Sequence, residues 1–224
     1  MFSSIAPRYD LLNRLLSLGR DQAWRKYAVA RIPAIEKGVI LDIGAGTGDI
    51  ALALAETQPE STTIIGLDFS RPMLKIAQEK IRKRGLSNRI KLSLANALSL
   101  PFMTETANAI IIAFGLRNLA DPARGLIEMY RVMQPGGYLV ILEFSNPENY
   151  LFKRLYYLYF LKVLPWLGGV VSKNRKAYHY LPESVLAFPY GEALKEKLEQ
   201  GGFQGVTYYP LTGGIAAVYT AKKI

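Results

Sequence analysis

VILDIGAGTGDIALALAE, Val39 to Glu56, reads as a buried strand that runs into a glycine-rich turn and opens a helix. Such a turn brings backbone close to a ligand, and its spacing restricts which one. Gly44, Gly46 and Gly48 stand two apart, and Asp49 occupies the place where a dinucleotide fingerprint requires its third glycine. No Gly-Lys-Ser/Thr follows Gly44, so the phosphate-cradling Walker loop fails as well. Asp42, two residues before the first glycine, would repel a pyrophosphate and suit an ammonium group. Asp68 closes the next apolar run, where a carboxylate accepts bonds from ribose hydroxyls. The ligand that meets these conditions is a nucleoside with a cationic tail and no phosphate, S-adenosylmethionine.

Outward from the turn the same alternation continues. Apolar, β-branched runs from Val39 to Ile43, Thr62 to Asp68, Ile90 to Leu94, Ala109 to Phe114 and Tyr138 to Phe144 are expected strands. Gly205 to Tyr209 and Ile215 to Thr220 are expected late edge strands. One helix opens at Ser70, keeps Pro72 in its first turn, repeats Leu74, Ala77 and Ile81, and ends at Gly85. Another opens at Asp121-Pro122 and stops at Pro135-Gly136-Gly137. The pattern predicts one α/β domain over residues 1–224, a mostly parallel seven-stranded sheet with helices on both faces. Residues 1–34 form a helical preface and residues 149–190 an aromatic, basic insertion. Both additions are expected to carry specificity, since ligands of open α/β sheets bind beyond the strand C-termini.

Composition sets the outer limits. At 224 residues and half apolar, the chain can bury a sizeable core. With no cysteine, disulfides, thiolate metal sites and cysteine nucleophiles are excluded, which fits a reducing, cytoplasmic setting. Arg8, Asp10, Arg14 and Arg20 interrupt any signal-peptide core. The greasiest stretch, Leu155 to Val171, is broken by Lys162, Pro165 and Gly168-Gly169 and is expected to be buried or interfacial rather than spanning. A formal charge of +10 implies an anionic partner, nucleic acid or a membrane surface.

The acid-x-Gly-x-Gly-x-Gly turn resembles motif I of the Rossmann-like class I methyltransferases. In related enzymes the segment after the third strand, here ANAL (Ala95 to Leu98), flanks the adenine, so Asn96 and Ala97 are candidates there, with Ala113 at the end of the fourth strand beside them. Thr47, at a helix N-terminus that favours negative charge, is the candidate to hold the methionyl carboxylate through its hydroxyl or its amide. The cofactor set is therefore Asp42, Gly44, Gly46, Thr47, Gly48, Asp68, Asn96, Ala97 and Ala113.

Four further segments carry a more specific likeness. YDLLNRLLSLGRDQAW (Tyr9 to Trp24) and RVMQPGGYLVILEFS (Arg131 to Ser145) resemble the two signatures of the ubiquinone/menaquinone biosynthesis C-methyltransferase family. FGLRN (Phe114 to Asn118) is similar to that family's motif after the fourth strand, and AYHYLPESV (Ala177 to Val185) to its late tyrosine-containing segment. The likeness runs from about residue 2 to the C-terminus. Leu12 stands where methionine is usual, and Asp21 where histidine is usual, so no histidine acts at that site here.

The resemblance implies methylation of a ring carbon of a reduced polyprenyl quinone precursor, demethylmenaquinol first and a benzoquinol of ubiquinone synthesis second. A ring carbon ortho to a hydroxyl becomes nucleophilic once that hydroxyl loses its proton. The protein must align the reactants, an effect worth up to roughly 7–11 kcal/mol, and favour a phenolate whose acid has a pKa of about 10. Arg117, after the fourth strand and facing the crevice, is the candidate cation for that purpose, or else a structural ion pair. Asn118 could orient a water that removes the proton, and Tyr9 and Tyr178 could bond the second quinol oxygen or stack on the ring. His179, the only histidine, has the pKa range of a base, although a lone histidine among tyrosines is more often a packed residue.

NYLFKRLYYLYFLKVLPWLGGVVSKNRKAYHYL, residues 149–181, carries six basic residues and no acid. Lysine and arginine can keep their charges at headgroups while their stems lie on hydrocarbon. A lid that shields the isoprenoid chain and docks on an anionic membrane surface, peripheral on its inner face, is the expectation. An ordinary subdomain with a solvated basic rim is the alternative. A homodimer is left open. An RNA methyltransferase would call for an Asn/Asp-Pro-Pro-aromatic motif or a catalytic cysteine, and FGLRN without cysteine supplies neither, so no nucleic acid is expected. A small-molecule O- or N-methyltransferase shares the cofactor half. A non-enzymatic module would have lost Asp42, Asp68 or the glycines, and all are present.

Overall fold

The computed structural model of the chain describes residues 9–147, 149–158 and 182–224. Its frame is a seven-stranded sheet: β1 (Val39–Ile43), β2 (Thr63–Asp68), β3 (Ile90–Leu94), β4 (Ala107–Ala113), β5 (Met133–Phe144), β6 (Gln204–Leu211) and β7 (Ala216–Lys222). The spatial order is β3-β2-β1-β4-β5-β7-β6. Strands β1 to β5 pair in parallel, and β7 runs antiparallel between β5 and β6. The chain steps outward from β1 in one direction and then returns to β4 on its other side. That reversal leaves a crevice beyond the C-terminal ends of β1 and β4, the place where doubly wound sheets bind ligands.

Helices cover both faces because the central strands are apolar on both. In β4, Ala109 and Ile111 point to one side and Ile110 and Ile112 to the other, all four fully buried. The first side packs on α2 (Arg20–Val29), α3 (Asp49–Thr57) and α4 (Arg71–Lys83) through Trp24, Ala28, Leu54 and Ile81. The second packs on α5 (Pro122–Val132) and α7 (Glu192–Gln200) through Leu126, Met129, Leu194 and Leu198. Two further helices, α1 (Tyr9–Leu16) and α6 (Tyr150–Leu158), belong to the preface and the start of the insertion. Among the described residues no helix is long and apolar enough to cross a membrane.

The helix starts follow local chemistry. Pro72 lies in the first turn of α4, and Asp121 caps α5 by accepting from the Arg124 amide at 3.0 Å. Most boundaries differ from the sequence reading by no more than two residues, and the largest difference is at the start of β5. Pro135-Gly136-Gly137 does not separate α5 from a strand that begins at Tyr138; it bulges out of a β5 that already starts at Met133. Met133 pairs with Ala107 and Tyr138 with Ala109, so the intervening residues have no partners on β4. Their backbone is taken up by the other neighbour: Gly136 N–H donates to Lys223 O at 2.7 Å, and Lys223 N–H to Gly137 O at 3.2 Å.

Candidate active site

The glycine turn opens into the crevice between β1 and β4. Gly44, Gly46 and Gly48 have φ of 70°, 54° and 83°, a left-handed backbone that favours glycine at each position. Their reasons otherwise differ. A Cβ on Gly48 would lie 3.0 Å from the Ala77 Cβ, so that glycine lets α3 approach α4. A Cβ on Gly44 or Gly46 would meet nothing nearer than 3.9 Å, so those two leave a bare backbone face toward the crevice.

Two carboxylates flank that face. Asp42 is 1 % exposed, and its Oδ2 has no hydrogen-bond partner among the described residues. Burial, and next the charge of Asp68, raise its pKa to about 8, against the Ala51 amide and Arg25, which lower it. An unpartnered buried acid of this kind suits an entering cation and disfavours a phosphate. Asp68 is held differently. Its Oδ2 accepts from the Gly46 amide at 2.8 Å and its Oδ1 from the Ser70 amide at 2.7 Å, so it also shapes the turn. Burial raises its pKa while the amides of Ser70, Gly46 and Phe69 oppose the rise. With amides taking part of its acceptor capacity, the carboxylate keeps room for a further donor such as a ribose hydroxyl.

Thr47 is buried, and its hydroxyl donates to Asp10 Oδ1 at 2.6 Å. Of the two expected routes to a methionyl carboxylate, the hydroxyl is thus engaged by another acid and the amide remains. Asp10 pairs with Lys80 at 2.5 Å, and Lys80 with Asp49 at 2.7 Å, which ties the preface helix α1 to the turn and to α4. Asp21, where the family usually has histidine, pairs instead with Arg25 on the next turn of α2. Beyond β3, the Ala95 amide donates to Asp68 O at 3.0 Å and brings ANAL beside Asp68. Asn96 is exposed and uses its side-chain oxygen to hold the Leu98 amide at 3.0 Å; Ala97 is half-buried. Phe69, 68 % exposed next to Asp68, was not singled out from the sequence; a large apolar residue directly after the acid that closes β2 is the signal for it.

After β4, Ala113 is half-buried opposite Leu142, and Phe114 adopts φ of 54°, unusual for a bulky residue. Its carbonyl accepts from Arg117 Nη1 and from Asn118 Nδ2, both at 2.9 Å. Arg117 Nη1 also pairs with Glu143 Oε1 at 2.6 Å, the two side chains being 6 % and 0 % exposed. Of the two readings offered for Arg117, a cation facing the crevice or a structural ion pair, the geometry matches the ion pair: Glu143, at the end of β5, neutralises it. Arg117 Nε remains buried without a partner among the described residues. Tyr9 is the first residue of α1, but its side chain lies outside the described residues, as do Tyr178 and His179. The structure thus gathers Asp42, Asp68, the glycines and Thr47 at the turn, with Ala113, Arg117 and Asn118 on the neighbouring strand end. A cavity of about 630 Å³ lies further along the same sheet edge, between Ser145 and Asn146 after β5, Tyr190 before α7, and Tyr208 and Pro210 on β6.

A mostly parallel sheet with this order, whose first strand ends in a buried acid and an open glycine turn, has the architecture of the Rossmann-like, S-adenosylmethionine-dependent methyltransferases. Comparison with known proteins narrows the class. The chain belongs to the ubiE/COQ5 methyltransferase family, whose profile matches residues 1–223. It is 51 % identical over 225 residues to the demethylmenaquinone methyltransferase of Thermus thermophilus, covering all of both chains. It is 48 % identical over 223 residues to the ubiquinone/menaquinone biosynthesis C-methyltransferase UbiE of Geotalea daltonii, covering all of this chain and 94 % of that one. Among solved structures, a SAM-dependent methyltransferase from Aquifex aeolicus superposes with a TM-score of 0.68 at 20 % identity, over 96 % and 98 % of the two chains. The [4+2]-cyclase SpnF does so at 0.70 and 22 %, over 90 % and 81 %.

Proposed function

We propose that this enzyme methylates a ring carbon of a reduced polyprenyl quinone precursor, with demethylmenaquinol as the acceptor. The observation that carries the cofactor half is Asp42, a buried acid with an unpartnered oxygen above a bare glycine backbone. S-adenosylmethionine, when bound, supplies an electrophilic methyl on a sulfonium. The residues present fit it: Asp42 for the positive charge, Asp68 for the ribose, the Thr47 amide for the carboxylate, and Phe69, Asn96, Ala97 and Ala113 around the base. The likeness to the Thermus thermophilus enzyme over the full length of both chains supports the naphthoquinol over the benzoquinol.

On the acceptor side the chain's work is alignment and exclusion of water. The acceptor hydroxyl gives up its proton, the ortho carbon takes the methyl, and the proton on that carbon then leaves. Arg117 cannot favour the phenolate as an uncompensated charge, because Glu143 sits on it. What it retains is an unspent Nε–H donor. Tyr9, Asn118, Tyr178 and His179 stay candidates for ring contacts and proton removal. The 630 Å³ cavity is within the range of small-ligand sites and suits the first isoprenoid units. In this reading residues 1–34 and 149–190 complete a single domain by covering the crevice, and the basic insertion docks on an anionic membrane surface.

The test is incubation of the purified chain with methyl-labelled S-adenosylmethionine and reduced acceptors of both classes. Label should appear on the demethylated naphthoquinol ring in preference to the benzoquinol. Preference for the benzoquinol would overturn the choice of acceptor, and label on neither would overturn the quinol reading.

A further inference from the structure

Glu143 is the least exposed charged residue among those described, with a relative exposure of 0 %. It closes the run Tyr138 to Phe144 in β5, between fully buried Leu142 and the Phe144 ring. An acid at such a place is costly unless charge and hydrogen bonds offset its desolvation. Here they do so in one direction only. Oε1 accepts from Arg117 Nη1 at 2.6 Å and from the Phe144 amide at 2.9 Å, and Oε2 accepts from the Arg117 amide at 3.3 Å. The guanidinium so held lies 5.0 Å from the Phe144 ring centroid and donates to the Phe114 carbonyl.

Phe114 needs holding. Its left-handed backbone is strained for a bulky residue and persists only where surroundings enforce it. The enforcing groups are the Arg117 and Asn118 donors on its carbonyl, the Leu142 carbonyl on its amide at 2.7 Å, and its ring packed at a 37° tilt 4.6 Å from that of Phe144. The strained peptide sits directly after Ala113, beside Gly115, which faces Gly44 across the crevice. We infer that Glu143 is a positioning residue for methyl transfer: with Arg117 it forms a neutral buried clamp that fixes Phe114 and the following turn against the cofactor loop. It touches neither reactant; it acts through Arg117 and Phe114. The inference rests on the methyltransferase reading above and deepens it.

The experiment is a double-variant cycle on the full chain, Glu143→Gln, Arg117→Gln and both together, with melting temperatures taken for each. Misplacement of about 1 Å at a reacting centre can cost about 100-fold, so Glu143→Gln should lower kcat by roughly 10- to 100-fold. Acceptor KM and cofactor Kd should stay within about threefold of the unsubstituted chain, since uniform binding is untouched. Because the pair acts as one unit, the double variant should fall no further than the worse single. It also leaves no buried charge alone, which keeps the cycle readable if Glu143→Gln folds poorly. Amide hydrogen exchange at residues 114–118 should quicken about tenfold in Glu143→Gln, a local opening that needs no acceptor to be seen. Unchanged exchange, an unchanged kcat, or losses that multiply in the double variant would each overturn the clamp. If the unsubstituted chain methylates no quinol but exchange responds as stated, the acceptor assignment fails and the clamp stands.

Discussion

At Asp42 two requirements oppose each other. Burial behind the strand end favours the neutral acid, whereas a cationic ligand favours the anion. The folded chain raises this carboxyl to about 8, chiefly by burial and then by Asp68. A folded pKa above the unfolded value of about 4 gives stability that is complete below that value and lost as pH rises through the folded pKa. Asp42→Asn removes that loss. In urea unfolding of the cofactor-free chain, the variant should match the parent near about pH 4 and exceed it increasingly up to about pH 9. A stability difference that stays flat across the series would mean that Asp42 ionises freely in the fold. This carboxylate and Asp68 were legible in the sequence because each lies at a fixed offset from a glycine or a strand end. The sequence left Arg117 open between a free cation and an ion pair, and its partner was not legible, since Glu143 is 26 positions away and meets it only across the β4–β5 pairing. A single acid closing the apolar run YLVILEF was the one available signal for Glu143.

Elements were readable where period and punctuation agree. β1 and β3 have the bounds that the apolar runs suggest, and α4 follows its proline and glycine marks. The bulge in β5 was hidden because Pro-Gly-Gly reads as a turn whether or not a neighbouring strand takes up its backbone. Only the hydrogen bonds to Lys223, at the far end of the chain, make it part of the sheet. The insertion is the other element that periodicity alone leaves open. Its first helix, α6, exposes Tyr150 and Leu151 and carries Lys153 and Arg154; residues 159–181 lie outside the described structure. If this element docks on lipid, the full chain should co-sediment with vesicles rich in anionic lipid and release from them as salt rises, because surface charge attraction is screened beyond about 8–10 Å at physiological ionic strength. Absence of binding at every salt concentration would leave the insertion as a subdomain with a solvated basic rim.

On the scale of the whole molecule, fold and function separate. SpnF shares the architecture and is named for a cyclisation, so the sheet by itself selects no reaction. What selects it is the set of groups at the sheet's C-terminal edge, together with kinship over the entire length to named quinone methyltransferases. A net charge of +10 adds long-range attraction to anionic surfaces and nothing to the choice of chemistry. The central claim is that a buried acid beside a bare glycine backbone selects a phosphate-free, cationic nucleoside. Calorimetric titration of the full chain with S-adenosylmethionine and with a nicotinamide dinucleotide tests it most directly. Saturable binding of S-adenosylmethionine alone is predicted, weakened about 10- to 100-fold by Asp42→Asn, as expected for loss of one charged contact. Binding of the dinucleotide, or an affinity for S-adenosylmethionine indifferent to that substitution, would contradict it.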